Sequence, residues 1–142
     1  EQIIYVAEKV KAADGLIIGA PVYYAGINGT VKSFLDRLFF TSSASMRFKA
    51  AASLVALRRS GGVAALEEIN RYFLFSEMII TPTRYWSVIH GGAPGEAARD
   101  EEGMQIARNI GSNMAYILKM KEAAESVQKP ILEDKIKMGF IR

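Results

Sequence analysis

Three short apolar runs, each followed by a turn-forming stretch and then residues at helical spacing, leave this chain few folds to adopt. The runs are Leu16-Ile17-Ile18, residues 53–57 and residues 78–81. Short continuous apolar runs suit strands buried on both faces. Ile3, Ala7 and Val10 fall on one face of a first helix, which Asp14-Gly15 should stop. Thr30 is the expected cap of a second helix, with Val31, Phe34, Leu35 and Leu38 on its packed side. A third, over about residues 63–75, directs Val63, Leu66, Ile69 and Phe73 inward. A long last helix, from about Asp100 to the region of Lys121, carries Met104, Ala107, Gly111, Met114 and Leu118 on its packed face. Strand and helix alternating three times means βαβ units, and hence parallel strands with right-handed crossovers. The prediction is an α/β fold with a doubly wound parallel sheet.

Composition removes whole classes of function. The 142 residues suffice for one core, and 18 basic against 15 acidic side chains give a net charge of only +3. That balance calls for neither a nucleic acid nor an acidic membrane as partner. No cysteine is present, so disulfides, thiolate metal sites and cysteine nucleophiles are excluded within this segment. His90 is the single histidine, which excludes a histidine-rich metal site. The longest uncharged run, residues 15–31, holds four glycines and a proline, and a membrane span needs ~20 mostly apolar residues. A cytoplasmic protein is the expectation. The chain opens at Glu1 without a methionine, already in a helical pattern, and three strands make a narrow sheet. One βαβ piece is therefore expected upstream of Glu1.

Chemistry should sit at the carboxyl ends of the strands, where ligands enter doubly wound sheets. The first loop there is glycine-rich, over residues 19–29. Within it Pro21 fixes the exit from the strand, and Gly26 and Gly29 let main-chain amides approach a flat ligand. Tyr23 and Tyr24 add aromatic faces with polar edges. An isoalloxazine ring suits that combination, and an ordinary strand-to-helix loop with core tyrosines suits it equally. The second loop, Arg59-Ser60-Gly61-Gly62, precedes a helix whose first amides can bind an anion or a carbonyl-rich edge. Two such loops after adjacent parallel strands face one crevice.

The segments Ala13-Asp14-Gly15-Leu16-Ile17-Ile18-Gly19-Ala20-Pro21-Val22-Tyr23-Tyr24 and Gly29-Thr30-Val31-Lys32-Ser33-Phe34-Leu35-Asp36-Arg37-Leu38 resemble the NADPH-dependent FMN reductase-like family. Its members have the flavodoxin fold and include multimeric flavodoxins and iron–sulfur flavoproteins. Gly91-Gly92-Ala93-Pro94-Gly95-Glu96, Asp100-Glu101-Glu102-Gly103-Met104 and Gly111-Ser112-Asn113-Met114-Ala115 resemble it too. The resemblance implies a flavodoxin-like domain over residues 1–128, of which this chain supplies the last three strands and their helices. It implies FMN at Ala20, Pro21, Val22, Tyr23, Tyr24, Ala25 and Gly26, and at Arg59, Ser60, Gly61 and Gly62. His90 joins them as a residue beside the glycine-rich loop at 91–95. In that family the FMN phosphate is held after the first strand, and cluster cysteines also lie upstream. Neither region falls in this segment, so an iron–sulfur cluster would come only from the part before Glu1.

The function so implied passes hydride from NAD(P)H through FMN to a flavin, a quinone or a protein acceptor, with no catalytic side chain required. Hydride transfer asks a protein mainly for alignment and exclusion of water. The alternative is an iron–sulfur flavoprotein or flavodoxin-type carrier without NAD(P)H reductase activity of its own. A signalling receiver with the same strand order expects a lysine directly after the last strand, where Thr81-Pro82-Thr83-Arg84 stands. An interaction domain that has lost its cofactor would stay colourless with FMN. Asp36-Arg37 and Lys32 read best as helix-surface charges, Tyr85 and Trp86 as pocket or interface residues. The tail at 129–142 carries apolar residues without a place on a filled core, so it should cover a neighbouring subunit of a homodimer or homotetramer.

Overall fold

In a computed structural model, which describes residues 2–134 and 136–139, four helices surround one mixed sheet. Helix α1 (Gln2–Ala12) leads into strand β1 (Gly15–Tyr23), a tight hairpin to β2 (Gly26–Ile27), then α2 (Gly29–Ser42). Strand β3 (Ala50–Leu57) and helix α3 (Gly62–Phe75) follow. Two short strands, β4 (Ile79–Ile80) and β5 (Val88–His90), precede the long α4 (Glu101–Ala123). The sheet runs β2-β1-β3-β4, with β5 also on β3. The pairs β1–β3, β3–β4 and β3–β5 are all parallel. The β4 and β5 segments occupy one edge at different heights, Ala50 against Ile79 and Val55 against Val88. The third predicted strand is thus an interrupted one, with residues 81–87 leaving the sheet and returning.

Strand β3 shows why the fold is doubly wound. Its side chains alternate, Ala51 and Val55 towards one face and Ala50 and Ala52 towards the other. On the first face Ala7 and Val10 of α1, Leu35, Leu38 and Phe39 of α2, and Leu66, Ile69 and Phe73 of α3 close the larger core. On the second face α4 lays Ile106, Ile110, Met114 and Ile117 against Ala50 and Ala52. Lys49 ties α1 to the sheet. Its Nζ donates to the carbonyls of Val10, Lys11 and Ala13 at 2.7, 2.6 and 2.5 Å, at the helix end where the last carbonyls lack partners.

Several local expectations are corrected. The loop expected over residues 19–29 is mostly strand and hairpin, because β1 continues in register with β3 as far as Pro21 opposite Ala56. Nor is β1 buried on both faces, since Ile17 on the α4 side is 49% exposed. Asn28, not Thr30, caps α2, its side chain accepting from the amide of Val31 at 2.9 Å. The packed face of α4 consists of Gly103, Ile106, Ile110, Met114 and Ile117. That face is rotated from the predicted stripe because the isoleucines are bulkier than Ala107 and Gly111. Val63 is exposed, and Ala65 takes the inward place. The described part of the tail has no regular secondary structure, with Ile131, Leu132, Ile136 and Met138 exposed, and it touches the domain where Arg47 Nη1 donates to the Pro130 carbonyl at 3.0 Å. The tail's Lys135, Phe140, Ile141 and Arg142 lie outside the described residues. Among the described residues no helix is long and apolar enough to cross a membrane.

Candidate functional site

The hairpin between β1 and β2 turns at Tyr24 and Ala25, both with positive φ, 49° and 60°. Two successive left-handed residues fit the right-handed twist of flanking strands, and the position usually selects glycine or asparagine. Tyrosine and alanine there carry local strain of the kind that gathers at ligand sites. The second loop meets this turn directly. Gly61, itself left-handed at φ 89°, faces Ala25 so closely that a Cβ on it would lie 2.6 Å from Ala25 Cα and 3.3 Å from Val22 Cγ1. A Cβ on Gly62 would lie 2.7 Å from Val88 Cγ2 and 2.8 Å from Leu57 Cδ2. Gly61 is therefore sterically required, since its overlap is with backbone, whereas at Gly62 the overlapping atoms are side-chain methyls. The two turns sit side by side beyond the carboxyl ends of adjacent parallel strands.

Helix α3 begins at this junction, and Gly61 offers its first turn no capping side chain. The amides at the start of α3 therefore point as donors towards the crevice. Further along α3, Glu68 reaches back to the hairpin, where its Oε2 accepts from the Ile27 amide at 3.0 Å. Sequence patterning gives no hint of that link, because it joins residues far apart in the chain.

A cavity of about 280 Å³ opens at the second turn. Arg59, Ser60, Gly61, Gly62 and His90 line it, as do Tyr85, Trp86, Val88, Asp100 and Glu102. Tyr85 and Trp86 stand at its edge with ring centroids 6.4 Å apart, on the segment that interrupts the edge strand. The residues expected at the first loop are placed differently from one another. Ala25 packs on Gly61 and Val22 lies beside it, while Gly26 abuts Glu68. Pro21 is half-buried in β1 opposite Ala56. Ala20 points into the larger core. Tyr23 and Tyr24 are exposed, 60% and 108%, with neither ring buried as a core residue.

His90 is held from below. Asp100 Oδ2 accepts from the His90 amide at 2.6 Å and lies 3.4 Å from its Nδ1, while Oδ1 caps α4 by accepting from Gly103 at 3.0 Å. The Gly103 and His90 main-chain donors, in that order, hold the Asp100 carboxyl below its ordinary value. Asp100 escaped notice as a site residue, although an aspartate ahead of Glu101-Glu102 is a recognisable helix start. Lys32 and Asp36 pair at 2.6 Å and join the Tyr72 hydroxyl, which donates to Asp36. This cluster lines a separate groove between α2 and α3. The Asp36 hydrogen bond, foremost, holds the Lys32 ammonium above its usual range. Among the described residues no group of three or more histidine, aspartate or glutamate side chains could hold a metal ion.

Residues 1–93 match the sequence profile of the family described as NADPH-dependent FMN reductase. The chain is 32% identical over 123 residues to an iron–sulfur flavoprotein of Methanocaldococcus jannaschii, covering 81% of this chain and 64% of that protein. An iron–sulfur flavoprotein of Archaeoglobus fulgidus is 29% identical over 119 residues, with 82% and 51% covered. The chain thus spans only about half to two-thirds of the length of these relatives. Among solved structures, the Trp repressor binding protein from Bacillus subtilis superposes with a TM-score of 0.68 at 22% identity, covering 77% of this chain and 75% of that one. An NADH:FMN oxidoreductase in its apo form gives 0.56 at 21%, covering 84% and 59%. These likenesses establish the flavodoxin-like fold.

Proposed function

This chain belongs to the NADPH-dependent FMN reductase family, and on that premise we propose that its crevice holds FMN non-covalently and that the protein moves electrons through it. The observation that carries this reading is the contact of Ala25 with Gly61, which joins the two turns into one wall. The residues present suit a flat heterocycle with a carbonyl-rich edge. The opening amides of α3 supply donors, the glycines at 61 and 62 keep side chains out of the way, and Tyr85 and Trp86 supply aromatic surface. Bound FMN would accept hydride from NAD(P)H and deliver electrons to a flavin, a quinone or a protein acceptor.

The chain's own groups position, donate and exclude water. Ser60, the 61–62 main chain and His90, whose amide Asp100 holds, would contact the ring where they line the cavity, while Val22 and Ala25 would support it through their packing on Gly61. No acid–base pair is needed, since the cofactor carries the redox step. A subunit contact through the tail belongs to the same reading. The test is direct titration of the purified protein with FMN, followed by quenching of flavin and Trp86 fluorescence. Saturable quenching supports the reading, and a protein that stays colourless with unchanged emission overturns it.

A second reading is supported by the iron–sulfur flavoproteins among the relatives. On that reading this protein carries electrons between partners and lacks NAD(P)H oxidation of its own. Flavin that binds but is not reduced by NADH or NADPH under anaerobic conditions favours the carrier; rapid bleaching at 450 nm (roughly the flavin band) favours the reductase.

A further inference from the structure

We propose that the mouth of the crevice carries a phosphate-binding subsite, built by Arg58, Arg59 and Arg99 around the amides of Gly92 and Ala93, in which the Glu96 carboxylate occupies the place of a phosphate. The inference deepens the flavoprotein reading by locating where a nucleotide's phosphate docks.

The carboxylate marks the spot. One oxygen of Glu96, Oε2, accepts from the Gly92 amide at 2.7 Å and from the Ala93 amide at 2.9 Å. Two successive main-chain donors converging on one oxygen make an anion nest. The other oxygen, Oε1, lies 3.6 Å from Arg99 Nη2. The Arg58 stem runs along the nest, for a Cβ on Gly92 would lie 3.4 Å from its Cγ and 3.6 Å from its Cδ. Neither Arg58 nor Arg59 has an ion-pair partner among the described residues. The nearby Asp100 carboxylate is committed to the amides of Gly103 and His90. Arg99 thus faces the half-exposed carboxylate, and the side chains of Arg58 and Arg59 line the same depression.

A phosphate matches this surplus better than a carboxylate does. It brings up to two negative charges and three acceptor oxygens, and guanidinium groups bind it in a fork. The hollow has a volume of about 590 Å³, and it shares Arg59, His90 and Asp100 with the flavin crevice. A ligand with its ring in the crevice can therefore place a phosphate against Arg58 and Arg99, displacing Glu96. That phosphate is the dinucleotide donor's, since the family resemblance puts the flavin's own phosphate in the loop after the family's first strand.

Two measurements test the subsite. Calorimetric titration with inorganic pyrophosphate needs no flavin. Binding should weaken by about five- to tenfold in Arg58→Gln and Arg99→Gln and tighten in Glu96→Gln. Pyrophosphate binding that is absent, or identical across the variants, overturns the proposal whether or not flavin binds. Where flavin does bind, the Arg58→Gln and Arg99→Gln proteins are titrated with FMN and riboflavin, and KM is measured with NADH and NADPH. Weakened FMN with unchanged riboflavin and an unchanged donor KM overturns the assignment to the donor. Unchanged FMN with a raised donor KM assigns it to the donor. No change in any of these overturns the subsite while leaving the flavoprotein reading intact. Pyrophosphate that binds as expected in a protein indifferent to FMN upholds the subsite and removes the flavoprotein reading.

Discussion

Gly61 has its missing side chain filled by Ala25: a Cβ at Gly61 would lie 2.9 Å from the Ala25 Cβ and closer still to its Cα. The contact locks the β1–β2 turn onto the start of α3 and so couples the geometry of one loop to that of the other.

Gly61→Ala combines a left-handed backbone with a steric overlap that neither neighbour can relieve. The substitution should cost about 2–4 kcal/mol in urea unfolding and abolish FMN binding. Gly95 is also left-handed, at φ 82°, but has open space around it, so Gly95→Ala should cost only about 1–2 kcal/mol and leave FMN affinity unchanged. Equal losses in the two variants would show that conformation alone, rather than the Ala25 contact, governs Gly61.

Glu68 restrains the hairpin through the Ile27 amide. Glu68→Ala leaves that amide without its partner and should cost about 1 kcal/mol in stability. FMN should bind several-fold more weakly, read by fluorescence quenching, because the turn at residues 24–25 loses its brace.

The Asp100 carboxyl titrates below its ordinary value of 3.8 in the folded protein. A depressed carboxylate adds stability at neutral pH, and that stability is lost as pH falls through the lowered folded value. Unfolding free energy should therefore decline as the pH falls below the ordinary carboxylate range. Asp100→Asn keeps a capping oxygen and should flatten this part of the decline. Asp100→Ala should cost about 1–2 kcal/mol at neutral pH.

Lys49 satisfies three carbonyls at the end of α1 and the turn after it. Lys49→Met keeps the aliphatic stem and removes all three bonds, so it should cost about 1–3 kcal/mol. Hydrogen exchange should rise first at the amides of residues 10–14 if the loss is local to that junction.

Removal of residues 129–142 takes away the exposed Ile131, Leu132, Ile136 and Met138. On the proposal that the tail covers a neighbouring subunit, light scattering should report a lower mass for the truncated protein. An oligomer of unchanged mass would refute it.

Much of the architecture could be read from local pattern. The three apolar runs at 16–18, 53–57 and 78–81 each mark a parallel strand, although Ile17 and Ile79 leave the first and third partly uncovered on one face. Leu66, Ile69 and Phe73 mark the inner face of α3 for the same reason of period. Errors arose where competing residues are close in kind. On α4, two interleaved apolar stripes exist, and only the bulk of Ile106, Ile110 and Ile117 against the small Ala50 and Ala52 selects one.

The chain's order of residues determined the α/β class, the parallel strands and the positions of both turns, because helix and strand periods and glycine's backbone freedom act between near neighbours. Tertiary structure decided that Ala25 meets Gly61, that Glu68 braces the hairpin and that Asp100 holds His90. Those contacts join segments that no local rule relates, and they form only when helices settle on the two faces of the sheet and bring its strand ends together.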